Sequence, residues 1–98
     1  MLEVERRFIA EWLDFIVALR MNDGFDSVKY ESLREALGSC VEAGRGKGTI
    51  DREVAGVLVE IFPAADAAAD AYQSDERSKI REAAYGLHDL IIQGLTSG

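Results

Sequence analysis

The chain has one cysteine, one histidine and one proline among its 98 residues. It has no uninterrupted apolar run near the about 20 residues that cross a bilayer. Each scarcity excludes something. Cys40 alone cannot form an intramolecular disulfide or a thiolate metal cluster, and its place on an apolar stripe suits a small buried hydrophobe. His88 alone leaves no nucleophile, base and orienting group to assemble into a triad. Strict apolar–polar alternation is missing too, so no half-buried strand is expected. The first residues mix Glu3, Glu5, Arg6 and Arg7 with apolar side chains, unlike a secretory leader, and a cytoplasmic location is the expectation.

What is abundant is helix-forming sequence with periodic apolar positions. Hydrophobic residues make up 48% and charged residues 30%, the balance of an ordered globular chain rather than a disordered one. At this length the expectation is one domain covering 1–98, with an adequate but thin core. Eighteen acidic residues against eleven basic ones give a net charge of −7. That surface disfavours phosphate backbones and anionic membranes and favours a basic partner.

The clearest pattern is Val54, Leu58, Ile61, Ala65, Ala68 and Tyr72, which recur at steps of four and three and share one helical stripe. Three other segments carry similar stripes. A first helix is predicted over 2–21, with an apolar arc near half its circumference and a polar strip of Glu3, Arg7, Glu11, Asp14 and Ala18. Such a wide arc places it centrally in a bundle or against a second chain. Asn22, Asp23 and Gly24 stop it. A second helix runs from Asp26 or Ser27 to about Ala43, with Asp26 as cap and Phe25 stapled to Tyr30. Gly44, Gly46 and Gly48 then predict a flexible connection. A third helix starts at Thr49 or Asp51 and is kinked or split at Pro63. A fourth covers 75–95, burying Ile80, Ala83, Ala84, Leu87, Leu90, Ile91 and Leu95. The predicted fold is all-α, a small antiparallel four-helix bundle.

Ligand motifs fail on inspection. The stretch from Gly44 to Thr49 lacks the first glycine that a phosphate-binding loop needs before its Gly-Lys pair, and Gly48 follows Lys47 in place of Ser or Thr. Aligning Gly24 with the glycine of a calcium loop puts Leu19, Met21 and Tyr30 at positions that need oxygen ligands. Asp66 and Asp70 lie one turn apart, yet no histidine or third acid joins them, so a solvated face opposite the seam is predicted. No cofactor and no metal are expected.

The constellation that remains is on the fourth helix. Arg81, Tyr85, His88 and Ile92 recur at steps of four, three and four, forming a second stripe away from Leu87 and Ile91. Arginine and tyrosine are favoured at binding hot spots. Arg81 and His88, with six residues between them, also resemble the Arg-x(4–6)-His pattern of HEPN-type ribonucleases, small helical proteins. That resemblance covers one helix and implies a composite ribonuclease site at a dimer interface, but Glu82 follows the arginine where another polar residue is more usual. The preferred reading is a non-enzymatic interaction protein that binds a basic protein. In size and charge it is similar to bacterial immunity proteins, antitoxins and phage-encoded inhibitors. Glu31, Glu35, Glu42, Asp66 and Asp70 would steer association, the Tyr85 stripe would anchor it, and the first helix would form a homodimer. A structural subunit of a larger assembly is the other alternative.

Overall fold

The computed structural model describes residues 2–96, the side chains of Lys47, Leu95 and Thr96 excepted. Four helices follow one another, α1 (Glu3–Arg20), α2 (Ser27–Lys47), α3 (Arg52–Ala69) and α4 (Ser74–Thr96), with no strand among the described residues. The periodic apolar positions explain this. Phe8, Trp12, Phe15, Ile16 and Leu19 of α1 meet Leu33, Ala36, Leu37 and Cys40 of α2, Val54 and Ile61 of α3, and Ile80, Leu87 and Ile91 of α4 in one core. The expected stripe of α4 is buried at Ile80, Ala83, Ala84, Leu87 and Ile91 and half-buried at Leu90, while the Leu95 side chain lies outside the described residues.

The helix starts obey local chemistry. Asp26 accepts hydrogen bonds from the N–H groups of Val28 (2.9 Å) and Lys29 (3.1 Å), which have no partner within the helix. Phe25 and Tyr30 pack with ring centroids 5.8 Å apart, completing the staple. Asp51 caps α3 by accepting from Glu53 N–H at 3.1 Å. After α1, Asn22 and Gly24 take left-handed φ values of 62° and 90°, which turn the chain.

The end of α2 departs from the sequence reading. The glycine stretch after Ala43 is not a flexible link: α2 continues through it to Lys47 and ends at Gly48, whose φ of 76° lets its N–H reach Gly44 C=O. The glycine at the cap thus acts as a helix stop, and Gly44 and Gly46 ride in the last turn. Of the two outcomes expected at Pro63, the split does not occur: α3 passes through the proline as one helix. Proline deprives the Val59 carbonyl of its donor, and Val59 lies on the solvent side, 79% exposed, where water can serve that carbonyl.

The α3 seam also shifts near its end. Ile61, Ala65 and Ala69 are buried at steps of four, Ala68 is only half-buried, and Tyr72 enters the core from the turn beyond the helix. In α1, Ala18 is buried rather than part of the polar strip.

Helix neighbours are α1 with α2, α3 with α4, α2 with α4, and α1 with α3. Going round the bundle the order is α1, α2, α4, α3, and the link over 48–51 crosses a diagonal. The helix α1 is therefore a corner, not a centre, and Leu13, Val17 and Met21 of its wide arc stay exposed. The turns after α1 and α3 meet at one end: Tyr72 Oη donates to Leu19 C=O at 2.7 Å and accepts from Gly24 N–H at 3.1 Å. Beside them, Phe25 N–H donates to Glu76 Oε2 at 2.6 Å. These bonds fix α1 parallel to α3 and both antiparallel to α2 and α4.

Candidate functional site

The most developed surface lies where α3 and α4 run side by side. On α4, helical spacing projects Arg81, Tyr85, His88 and Ile92 along the edge facing α3. On α3, the chain answers with Val59, Phe62, Asp66 and Asp70, one helical step round from half-buried Leu58 and buried Ile61 and Ala65. The rings interlock: Phe62 lies 5.1 Å from Tyr85 and 5.5 Å from His88 by centroid, both tilted. Such tilted pairs are favourable arrangements for aromatic quadrupoles. Tyr85 nevertheless remains 57% exposed, and Ile92 and Val59 on the same two helices are exposed too. Ile50, Leu58, Val59, Phe62, Pro63 and His88 line a shallow groove of about 400 Å³ on this face.

At one end of the patch the charges are already engaged. Arg81 Nε donates to Asp66 Oδ1 at 3.1 Å and Arg81 Nη2 donates to Asp70 Oδ1 at 2.6 Å. The pair predicted as a solvated acidic face therefore forms a clamp that ties α3 to α4. The bond to Asp66 has the largest influence on Arg81 and raises its pKa above the ordinary arginine value; partial desolvation opposes this, and Asp70 adds to it.

The nine residues singled out from sequence thus fall into two groups. Arg81, Tyr85, His88, Ile92, Asp66 and Asp70 share the α3–α4 face. Glu31, Glu35 and Glu42 are exposed on α2, which lies diagonally across the bundle from α3. Glu35 is 3.6 Å from Arg7 of α1, and Glu42 is 3.4 Å from Arg45 of its own helix. One partner helix cannot touch both groups at once.

Sequence reasoning missed Val59 and Phe62, which complete the patch. The signal was present: they repeat the spacing of Leu58 and Ile61 one residue later, a second apolar stripe beside the seam. Glu5, in the first turn of α1, is 2% exposed, and its Oε1 accepts from Leu2 N–H at 2.7 Å. No group of acids, histidine and cysteine suited to a metal ion occurs among the described residues. No helix of the described residues is long and apolar enough to cross a membrane. Compared with known protein families, curated proteins and solved structures, the chain matches none.

Proposed function

We propose that the protein is a non-enzymatic, inhibitor-like or regulatory binding module whose α3–α4 face docks a basic protein. The observation that carries this reading is the apolar group of exposed Val59, Tyr85 and Ile92 and half-buried Phe62, set beside acids on the same two helices. Exposed Asp89 lies on the Tyr85 and Ile92 stripe by helical spacing, and Asp66 and Asp70 extend the Phe62 stripe. Apolar anchors inside a charged rim are the usual anatomy of a specific interface. The net charge of −7 would speed encounter with a cationic partner. Ribonuclease chemistry asks Arg81 to meet a phosphate, whereas two aspartates hold its guanidinium and make its surroundings anionic, which supports binding over catalysis.

Capture from native lysate tests the assignment by comparing faces. Wild-type protein should retain a basic protein that elutes as salt rises, because screening weakens the steering charges. Val59→Glu and Tyr85→Ala should each lower its retention by about tenfold or more, the scale of a hot-spot loss. Leu13→Glu, on α1, should not. Retention that ignores salt, or that survives both patch substitutions, would overturn the proposal.

The homodimer belongs to a different surface. Leu13, Val17 and Met21 follow one another at steps of four on α1 and are all exposed, a run that a second copy would cover symmetrically. Sedimentation should find a dimer at micromolar concentration and a monomer for Val17→Glu. A wild-type monomer under the same conditions refutes this part of the proposal.

A further inference from the structure

The groove on the α3–α4 face runs between two antiparallel helices, and its walls limit what can fill it. Val59, Phe62 and Pro63 form the α3 wall, and His88 lines it from α4, with Tyr85 stacked beside Phe62. From the level of His88 to the Tyr72 turn, both walls consist of described residues. They offer little free backbone. The peptide groups of α3 and α4 bond within their helices, apart from the Val59 carbonyl that Pro63 leaves without its helical donor. No strand, and so no sheet edge, occurs among the described residues. An extended segment laid in the groove would lose water from its N–H and C=O groups and regain few bonds. A helix brings its backbone bonds with it and presents only side chains. Two adjacent helices also form the kind of furrow into which the ridge of a third packs.

The charges around the groove decide which helix fits. Glu82 and Asp89, both exposed, lie about two turns apart on the outer edge of α4, either side of Tyr85. Exposed Glu60 follows Val59 on the outer side of α3. Towards the Tyr72 turn, Asp66 and Asp70 share Arg81 and leave that cluster net negative. Arg52, about two turns before Val59, sets a positive charge at the opposite end. We infer that the groove receives the apolar stripe of a basic amphipathic helix, its lysines or arginines towards Glu82, Asp89 and Asp66. This rests on the α3–α4 face being the docking face, and it adds which element the partner presents.

Three synthetic peptides of about 14 residues, roughly four turns, test it. In the first, leucines recur at steps of three and four and lysines fill the other positions. The second carries glutamate for lysine, and the third a proline for the central leucine. At physiological salt the lysine peptide should turn helical on binding and shift the amides of Val59, Phe62, Tyr85 and Asp89, but not those of Leu13 and Val17. The glutamate and proline peptides should bind at least about tenfold more weakly, because one is repelled and the other cannot keep a continuous helix. Val59→Lys should weaken the lysine peptide by about tenfold or more, the scale of a lost anchor. Val59 is 79% exposed, so this variant should fold. Leu13→Lys adds the same charge on α1 and should change affinity by less than about twofold. Equal binding of either comparison peptide, or unchanged affinity in Val59→Lys, overturns the inference. If the lysine peptide fails to bind while the lysate protein is still retained through Val59 and Tyr85, the docking face stands and the helical partner falls. If the peptide binds the groove while lysate retention ignores both residues, the docking assignment falls and the helix site stands. If neither binds there, both fall.

Discussion

Trp12→Ala is expected to remove about 3–5 kcal/mol of folding stability, the usual loss for truncating a large buried aromatic side chain. For a chain this size the whole stability lies near about 5–15 kcal/mol, so the variant should be partly unfolded at room temperature or unfold at a much lower denaturant concentration. Trp12 is 1% exposed and is the largest of the fully buried side chains. It packs beside Phe15, with centroids 6.4 Å apart, on the inner face of α1. Phe15 in turn meets Phe25 and Tyr30, both at 6.2 Å, so the indole backs an aromatic group that reaches the α1–α2 turn. Small residues fill much of the rest of the core (Ala36, Ala65, Ala69, Ala83 and Ala84), and these cannot swing in to refill the space. Leu13→Ala is the control. Leu13, the neighbour of Trp12 in sequence, is 52% exposed, and its truncation should cost no more than about 0.5 kcal/mol, as for other surface changes. Urea melts followed by circular dichroism separate the two. Equal midpoints would mean that α1 does not bury the face assigned to it.

That contrast between adjacent residues shows which part of the fold the sequence carries. Steps of three and four mark which side of a helix is buried, because side-chain direction repeats every 3.6 residues whatever the surroundings. The inner faces of all four helices, and the Asp26 and Asp51 caps, were legible for that reason. Helix order around the bundle was not. A link of four residues, Gly48 to Asp51, is long enough to join either a neighbour or a diagonal, and the choice is made by side-chain packing between distant segments. Glycine was similarly ambiguous. Gly44 and Gly46 look like a linker in composition, yet α2 runs on through both and stops only at the left-handed Gly48.

The site was half legible for the same physical reason. Arg81, Tyr85, His88 and Ile92 share a stripe by periodicity alone. That Asp66 and Asp70 would meet Arg81 depends on the register of α3 against α4, which no spacing within one helix encodes. Register also decides that Phe62 lies between Tyr85 and His88. Conversely, the acids of α2 seemed to belong with those of α3 only because charge has no address until the helices are arranged.

Tyr72→Phe should destabilise the chain by about 1–3 kcal/mol, although it removes a single oxygen, because that oxygen serves two partners and one of them is buried. Its hydroxyl hydrogen goes to Leu19 C=O at the end of α1, and its lone pair takes Gly24 N–H in the following turn. Phenylalanine keeps the ring in the core but leaves both groups without that oxygen. Leu19 C=O still accepts from Asn22 N–H at 3.1 Å, so the loss falls more heavily on the turn than on α1 itself. The neighbouring bond from Phe25 N–H to Glu76 couples the same turn to the start of α4. A local opening there should therefore loosen α1–α2 from α3–α4 before either hairpin melts. Amide exchange distinguishes this from a general loss of stability: Gly24 and Phe25 should exchange faster by a larger factor than amides of Leu37 or Leu87 in the helix interiors. Uniform acceleration at all four positions would show that the Tyr72 hydroxyl contributes only to global stability, and unchanged exchange at Gly24 would show that the turn is held by packing alone.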